Sequence, residues 1–173
     1  MNIISGIYKH KPIKSPANSV THPMGSREKL ALFNMISSYL PGSNVLDAFA
    51  GSGALGLEAL SRGADKITFI EKSPKVAAVI RENIKNLGVT DQTLVRACNS
   101  RDFTTDEHFD IIIADPPYDN FHIEDIIRLS VFLNKGGIFA LSAPRINLPE
   151  IPGLEVISQH AYAAASITIF TKQ

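Results

Sequence analysis

The stretch that decides the fold spans residues 45–56 and reads VLDAFAGSGALG. Residues 45–49 form a mostly apolar run typical of a buried strand, and residues 54–62 have the spacing of a helix. Between them, residues 51–56 fit the pattern G-x-G-x-x-G. Glycines without a Cβ allow a ligand to approach the backbone just where a helix offers free N–H groups. The stretch therefore predicts a strand, a ligand-binding turn and a helix.

On both sides of this stretch, short apolar runs alternate with helical patterns. Ser26 is a candidate N-cap for a helix over 26–40, and Pro41-Gly42 is a candidate stop. Strands are predicted at 45–49, 67–70, 94–97, 111–114 and 138–141, helices at 54–62, 74–87 and 122–133, and a C-terminal antiparallel hairpin at 154–158 and 167–170. Strands this apolar are typical of a mostly parallel sheet buried on both faces. We expect a doubly wound α/β fold with seven strands and helices on both faces.

Length and charge indicate one domain with a basic N-terminal addition. The chain has 173 residues, of which 45% are hydrophobic, and its 17 basic and 17 acidic residues cancel. Residues 1–40 nevertheless hold five basic residues (Lys9, Lys11, Lys14, Arg27, Lys29) against Glu28, a net charge of +4. We expect residues 1–40 to form a basic arm and helix packed on the core, with 6–26 extended on the surface, and residues 41–173 to form the α/β domain.

Other features exclude several classes of protein. Cys98 is the only cysteine, so no intrachain disulfide can form, and the five histidines have no spacing typical of a zinc site. The first residues lack the pattern of a signal peptide, and no apolar run approaches the roughly 20 residues that cross a bilayer. We expect a metal-free, cytoplasmic protein that is a monomer.

Polar residues follow four successive strands of the predicted sheet. Asp47 lies at the end of the first strand, Glu71 and Asn99 follow the second and third, and Asp115 follows the fourth. In open α/β sheets ligands bind at the carboxyl ends of the strands. These four side chains are therefore predicted to converge on one crevice.

The glycine turn leaves two classes of cofactor open. A nicotinamide dinucleotide would place its pyrophosphate at the turn, and Glu71, 20 residues after Gly51, would bind a ribose. S-adenosylmethionine has the same ribose and an adenine that Asn99 could bind, but it has no phosphate. Asp47 would lie near its ammonium and sulfonium groups, where a pyrophosphate would be repelled.

Residues 115–118, Asp115-Pro116-Pro117-Tyr118, favour S-adenosylmethionine, which is a methyl donor, over the nicotinamide cofactor. The prolines fix φ, so that the Asp115 carboxylate and the Pro116 carbonyl become neighbouring acceptors. A planar amino group has two hydrogens to match them, and the acceptors stabilise charge that develops only as a methyl group is transferred. Tyr118 would stack on the substrate and orient its nitrogen. A turn that merely ends a strand would show the same letters, but it would not explain Glu71 and the glycine turn.

These motifs together resemble those of the bacterial small-subunit ribosomal RNA (guanine-N2) methyltransferases, which are class I S-adenosylmethionine-dependent enzymes with a Rossmann-like fold and a DPPY motif. Residues 45–64 are similar to that family's cofactor loop and helix almost letter for letter. Residues 115–118 match its catalytic turn, and residues 32–34 match the end of its N-terminal helix. The similarity spans nearly the whole chain.

The resemblance implies a role for each candidate residue. Asp47, Phe49, Ala50, Gly51, Ser52 and Gly53 would line the methionine end of the cofactor, Glu71 and Lys72 the ribose, and Asn99 the adenine. Asp115, Pro116, Pro117 and Tyr118 would receive a guanine extruded from the RNA. Lys9, Lys11, Lys14, His22 and Arg27 would contact ribosomal RNA, either free or in the assembled small subunit.

The sequence departs from that family at three places, and several other functions remain compatible with it. His22-Pro23-Met24 stands where Arg-Pro-Thr is common, residues 141–144 lack an expected acidic residue, and Ala163 replaces a usual glycine. The turn at 115–118 is also compatible with methylation of DNA adenine N6 or of a protein glutamine. A nucleotide-dependent oxidoreductase and a non-enzymatic RNA-binding module are more distant alternatives.

Overall fold

The structure, a computed structural model, describes residues 1–16, 24–145, 150–162 and 165–173. Its helices are α1 (Ser26–Met35), α2 (Ala54–Ser61), α3 (Pro74–Leu87) and α4 (Ile123–Ser130). Its strands are β1 (Asn44–Asp47), β2 (Lys66–Ile70), β3 (Thr93–Arg96), β4 (Phe109–Ala114), β5 (Leu133–Pro144), β6 (Leu154–Ala161) and β7 (Ala165–Lys172). Strands and helices alternate along the chain as the sequence predicts.

The seven strands form one sheet in the order β3-β2-β1-β4-β5-β7-β6. The pairs from β3 to β5 are parallel, whereas β7 is antiparallel to both β5 and β6. The predicted α/β fold, with a mostly parallel sheet and a closing antiparallel hairpin, is therefore confirmed. Because the strand order reverses between β1 and β4, the carboxyl ends of these two strands flank the crevice where ligands bind in such sheets.

Helices cover both faces of the sheet and bury two apolar cores. One core contains Leu32 of α1, Leu57 of α2 and Ile80 of α3, packed on residues such as Ile111 and Ile113. The other contains Ile126 of α4, packed on the opposite face through residues such as Ile112. Successive residues of β4 alternate between the two cores because side chains of a strand point to opposite faces. This double burial explains why the central strands are nearly continuous apolar runs.

The first helix differs from the prediction at both ends. Ser26 is its first helical residue rather than its N-cap, which is Gly25 and makes no side-chain cap. The helix ends at Met35 rather than at residue 40, and a 3-10 turn, Ser37–Tyr39, follows. The Ser37 hydroxyl donates to the Asn34 carbonyl at 3.1 Å, which satisfies an acceptor that a longer helix would use.

Strand β5 is longer than predicted, and α4 is correspondingly shorter. Leu133, predicted as helical, pairs with Phe109 of β4, so the chain has already joined the sheet there. The ladder is then interrupted until Ile138 pairs with Ile111. Residues 134–137 at this irregularity are polar or glycine, so the beginning of the strand has no apolar pattern in the sequence.

The N-terminal segment is a compact hairpin rather than an extended arm. Asn2 bridges Pro12 in antiparallel fashion, and Ile3 and Ile13 are buried. We call residues 1–14 the N-terminal hairpin. The prediction of an extended segment is therefore wrong for residues 6–13, where buried isoleucines and docking on α2 outweigh the unfavourable composition. His22, Pro23 and Ala163 lie outside the described residues.

Among the described residues, no helix combines the length and the apolar character that a membrane span needs. Nor do they contain a cluster of three or more potential metal-binding side chains.

Candidate active site at the carboxyl edge of the sheet

Four neighbouring strand ends bring the predicted polar residues to one edge of the sheet. Asp47 is the last residue of β1, and its neighbours in the ladders are Phe69 of β2 and Ile113 of β4. Glu71 directly follows β2, Asp115 directly follows β4, and Asn99 lies in the loop after β3. The spatial order is therefore Asn99, Glu71, Asp47 and Asp115, which is the convergence that the sequence predicts.

Asp47 is a buried carboxyl group whose second oxygen is unsatisfied. Its side chain is 1% exposed, and Oδ2 accepts a hydrogen bond from the Gly56 N–H at 2.9 Å. Oδ1 has no hydrogen-bond partner within the described part of the chain. Burial raises the pKa of Asp47 to about 7, and the charges of Asp115 and Glu71 add to this rise while the Gly56 N–H opposes it. A ligand cation beside Oδ1 would satisfy this group.

The glycine turn packs α2 closely on β2 while leaving space above the loop. A Cβ at Gly56 would overlap the buried ring of Phe69 and lie 2.8 Å from Cγ2 of Ile67. Gly51, by contrast, has φ of +52°, and a Cβ there would meet no atom within 4 Å. Gly56 is therefore required for packing, whereas the open backbone at Gly51 is available to a ligand. Phe49 is half-buried against the core, and Ala50 is buried.

Glu71 joins the glycine turn to the end of β2. Its Oε2 accepts from the Gly51 N–H at 3.0 Å, and its Oε1 accepts from the Ser73 N–H at 2.8 Å. Each carboxylate oxygen keeps a further lone pair, so the group can still accept from two vicinal hydroxyls such as a ribose diol. Lys72 is exposed in the turn beside it.

Asn99 orients the loop beyond β3. Its Oδ1 accepts from the Arg101 N–H at 3.1 Å and caps the 3-10 turn Ser100–Asp102. The amide nitrogen is then the group left to donate to a heterocyclic ring nitrogen. Beside this loop a cavity of about 440 Å³ is lined by Cys98, Asp102, Phe103 and other residues of 95–104.

The turn at 115–118 places the Asp115 carboxyl group next to Asp47. Burial raises the pKa of Asp115 to about 6, which leaves the group ionised above neutral pH, and the neighbouring Ser142 hydroxyl opposes the rise. The Pro117 carbonyl already accepts from the Asn120 N–H at 3.0 Å. The Pro116 carbonyl, rather than that of Pro117, is then the second candidate acceptor. Tyr118 is 37% exposed.

The hydroxyl of Tyr118 contacts Ser142 of β5, a residue whose role the sequence did not indicate. The two oxygens lie 2.7 Å apart, and Ser142 is 1% exposed. Burial raises the pKa of Tyr118, and the charges of Asp115 and Glu28 raise it further. Because Glu28 belongs to the first turn of α1, the beginning of that helix lies near the turn at 115–118.

The basic residues of the N-terminal segment have different surroundings. Lys9, Lys11 and Arg27 are exposed, whereas Lys14 is paired with Glu82 at 2.8 Å. Lys29, which contributes to the net charge of the segment, is 5% exposed, and burial lowers its pKa. It therefore does not belong to the basic surface that the charge count suggested.

Glu58 fixes the N-terminal hairpin to α2 and was not singled out from the sequence. Its carboxylate is fully buried and accepts from the backbone N–H groups of Ile4 and Ser5 at 2.7 and 3.0 Å. Arg62 donates to it at 2.8 Å, and Lys29 lies 3.8 Å away. An acidic residue in the middle of an apolar helix, LGLEAL over 55–60, was the available signal.

Asn83 of α3 links the glycine turn to the end of the N-terminal hairpin. Its amide nitrogen donates to the carbonyls of Ser52 and Lys14, both at 3.0 Å, and its Oδ1 accepts from the Lys14 N–H at 2.9 Å. The side chain is 2% exposed. No local pattern reveals this contact, because its partners lie 31 and 69 residues away.

The strand order, the glycine turn and the buried acid at the end of β1 together define the fold of a class I methyltransferase. The family described as "Conserved hypothetical protein 95" matches residues 1–171, and the chain belongs to that family.

Relatives and solved structures agree with this assignment. The chain is 32% identical over 184 residues to a Bacillus subtilis protein described as "Putative rRNA methyltransferase YlbH", with 100% of both chains covered. It is 30% identical over 158 residues to "Ribosomal RNA small subunit methyltransferase D" of Escherichia coli K12, covering 88% of this chain and 79% of that protein. A solved Escherichia coli structure, "Putative methyltransferase yhhF", superimposes with a TM-score of 0.88 at 26% identity, covering 100% of this chain and 98% of the other.

The methyl donor of this class is S-adenosylmethionine, and the residues present fit it. The unsatisfied Oδ1 of Asp47 is suited to a cationic ligand and unsuited to a pyrophosphate. The open backbone at Gly51 gives room for a ligand, and Glu71 keeps acceptor capacity for hydroxyls. This set favours S-adenosylmethionine over the nicotinamide cofactor that the glycine pattern alone left open.

Proposed function

We propose that this protein transfers the methyl group of S-adenosylmethionine to the exocyclic N2 amino group of a guanine in small-subunit ribosomal RNA. The observation on which the proposal rests is the half-buried Asp115 carboxylate beside Asp47, at the strand ends next to the glycine turn. The relatives named as ribosomal RNA methyltransferases support the choice of RNA. A ribosomal substrate also assigns the protein to the cytoplasm, where we expect it to act as a monomer.

We infer that the cofactor is held by the residues along the β1 and β2 ends. Asp47 would meet its cationic methionine end, residues 49–53 would surround that end, and Glu71 would accept from the ribose hydroxyls. Asn99 would donate to the adenine, and Lys72 would lie at the rim. When bound, the cofactor supplies an electrophilic methyl group on a sulfonium sulfur.

The role proposed for the turn at 115–118 is to activate the amino group. Asp115 and the Pro116 carbonyl would each accept from one N–H, so that the nitrogen lone pair is released from conjugation as the nitrogen pyramidalises. Once the nitrogen has gained a bond to carbon it must lose one proton, and Asp115 is the group that can receive it. A pKa of about 6 leaves Asp115 ionised and able to do so at pH 8. Tyr118 would stack on the base.

The exposed basic residues would hold the RNA. Lys9 and Lys11 are in the N-terminal hairpin, and Arg27 is at the beginning of α1, near the turn at 115–118. Lys14 would contribute less, because Glu82 already offsets its charge. The proposed role of His22 rests on the family resemblance alone.

Mapping of methylated nucleosides tests the proposal directly. The purified protein is incubated with labelled S-adenosylmethionine and small ribosomal subunits from a strain that lacks this gene, and the RNA is digested to nucleosides. We expect the label in N2-methylguanosine. Label in any other nucleoside would refute the N2 assignment, and label in protein would favour glutamine as the acceptor.

A further inference from the structure

Ser142 is buried on a central strand, directly beside the candidate catalytic turn. In the ladder between β4 and β5, Ala114 pairs with Leu141, so Ser142 is next to the position at which Asp115 leaves the sheet. On its other side Ser142 pairs with Ile167 of β7. Its backbone is therefore fixed from both sides, and a serine has a single rotatable side-chain angle before its hydroxyl oxygen. The position of this oxygen is well defined.

Tyr118, by contrast, extends from a short surface turn. Its backbone lies in the 3-10 turn Tyr118–Asn120, and its side chain is the most exposed of the proposed catalytic residues. The 2.7 Å contact with Ser142 is the one hydrogen bond of its side chain among the described residues. A stacking residue must hold its ring plane at a fixed angle, and an anchored hydroxyl provides that restraint.

The direction of these hydrogen bonds follows from the chemistry of the groups. Ser142 lowers the pKa of the neighbouring Asp115 carboxyl, as a hydrogen-bond donor does, and an ionised Asp115 can only accept, so the single proton of Ser142 is directed to it. The lone pairs of Ser142 remain free, and Tyr118 donates its phenolic proton to them. The resulting order is Tyr118 O–H to Ser142 O–H to the Asp115 carboxylate.

We propose that Ser142 is a positioning residue, whose hydroxyl fixes the ring of Tyr118 for stacking on the target base and orients the Asp115 carboxylate toward the amino group. The inference rests on the proposed function, since it takes the roles of Tyr118 and Asp115 from there. It adds a strand residue outside the Asp-Pro-Pro-Tyr turn to the machinery for methyl transfer.

A double-mutant cycle tests whether Ser142 acts through the Tyr118 hydroxyl. The variants are Ser142→Ala, Tyr118→Phe and the double variant, assayed at pH 8 for label transfer to small subunits. We expect each single substitution to lower kcat by about three- to tenfold, with the KM for S-adenosylmethionine unchanged. Tyr118→Phe should cost less than about twofold when Ser142 is already alanine. Losses that multiply would overturn the inference.

Ser166→Ala is the matched control. Ser166 is a serine on the adjacent strand β7, is 5% exposed and pairs with Ala143. Its hydroxyl has no hydrogen-bond partner among the described residues. We expect kcat to stay within about twofold of the wild-type value. An equal loss in this variant would mean that Ser142 matters only for packing, and would overturn the proposed role.

Nuclear magnetic resonance gives a readout that does not depend on catalysis. The chain has four tyrosines, and labelling them with ¹³C at Cζ gives resonances among which Tyr118→Phe identifies that of Tyr118. Ser142→Ala should move this resonance, and Ser166→Ala should not. An unchanged resonance would refute the hydrogen bond itself. If Ser142→Ala moves the resonance but the wild-type protein methylates no ribosomal RNA, the proposed function is refuted while the hydrogen bond is established.

Discussion

At the level of single residues, the candidate site contains two acids with different proposed partners. Asp115 is expected to contact the substrate, and Asp47 the cofactor. Asp47 is buried and Asp115 is half-buried, and in both the loss of hydration raises the pKa, to about 7 and about 6 respectively. Substitutions at the two positions should therefore affect different measurements.

Asp115→Ala should abolish turnover while leaving the cofactor bound. Removing an acceptor used mainly in the transition state should lower kcat by about 100-fold or more. The Kd for S-adenosylmethionine, measured by calorimetry, should stay within about twofold. Asp119→Ala, in the same turn and exposed, is the control and should remain active. Parallel losses of affinity and turnover at Asp115 would show that it belongs to the cofactor site.

Asp47 should make the stability of the protein without cofactor depend on pH. Its pKa is raised from 3.8 to about 7, so the folded state binds a proton more readily than the unfolded state. Stability should therefore fall as the pH rises from about 4 to about 7, and the full cost should be present above that range. Asp47→Asn should reduce this fall by on the order of 1–3 kcal/mol, as measured by urea unfolding at pH 5 and pH 8.

Asp65→Asn is the control for this measurement, because Asp65 is exposed. It should leave the difference in unfolding free energy between the two pH values unchanged. An Asp47→Asn variant with the same pH dependence as the wild type would contradict the assignment. The same variant should bind S-adenosylmethionine more weakly, since the proposed partner of its cationic end is lost.

At the level of secondary-structure elements, the contact between α2 and β2 determines where the glycine turn lies. Gly56→Ala should destabilise the protein by about 1–3 kcal/mol, although alanine is the better helix former, because its Cβ would overlap the buried ring of Phe69. Thermal or urea unfolding measures the effect. Adding Phe69→Leu should recover part of the loss. A Gly56→Ala protein more stable than the wild type would rule out this contact.

The elements that were predictable from the sequence have local signals at their ends. For α3 both ends agree with the prediction, since Ser73 caps it, Pro74 begins it, and Gly88 ends it with φ of +72°. The end of α1 and the beginning of β5 depend instead on the Ser37 hydroxyl bond and on pairing between Leu133 and Phe109. Such contacts leave no periodic pattern in the sequence.

The site residues also divide into those with a signal in the sequence and those that depend on contacts with other elements. Asp47, Glu71, Asn99 and Asp115 could be predicted to converge because the carboxyl ends of parallel strands share one edge. Ser142 and Asn83 could not be predicted, because their partners belong to other elements and a buried serine or asparagine is common in any core. Their assignment required the side-chain contacts themselves.

At the level of the whole molecule, the N-terminal hairpin spans α2 from the glycine turn to the helix end. Lys14 is linked through Asn83 to Ser52, whereas the backbone N–H groups of Ile7 and Tyr8 bond to the Ser61 carbonyl and hydroxyl. Lys9, in the turn of this hairpin, therefore lies about the length of α2 away from the glycine turn. RNA that contacts both would extend well beyond the target base.

The double variant Lys9→Gln, Lys11→Gln should weaken RNA binding and flatten its salt dependence. If both lysines contact phosphates, the slope of log Kd against log salt should fall by about one to two. Fluorescence anisotropy with a small-subunit RNA fragment measures it. Lys135→Gln is the control, because Lys135 is exposed in the irregularity of β5 near the amino ends of the strands. An unchanged slope in the double variant would exclude the hairpin from the RNA interface.

The amide of Asn83 has a thermodynamic consequence for the order of events on the enzyme. It donates hydrogen bonds both to the loop proposed to bind the cofactor and to the hairpin proposed to bind the RNA. If binding of S-adenosylmethionine moves Ser52, Asn83 passes part of this movement to Lys14 in the hairpin. The affinity of the hairpin for RNA then changes by some factor. Reciprocity then requires RNA to change the affinity for S-adenosylmethionine by the same factor. One buried amide would thus couple the binding of the two ligands, although they do not contact each other through it.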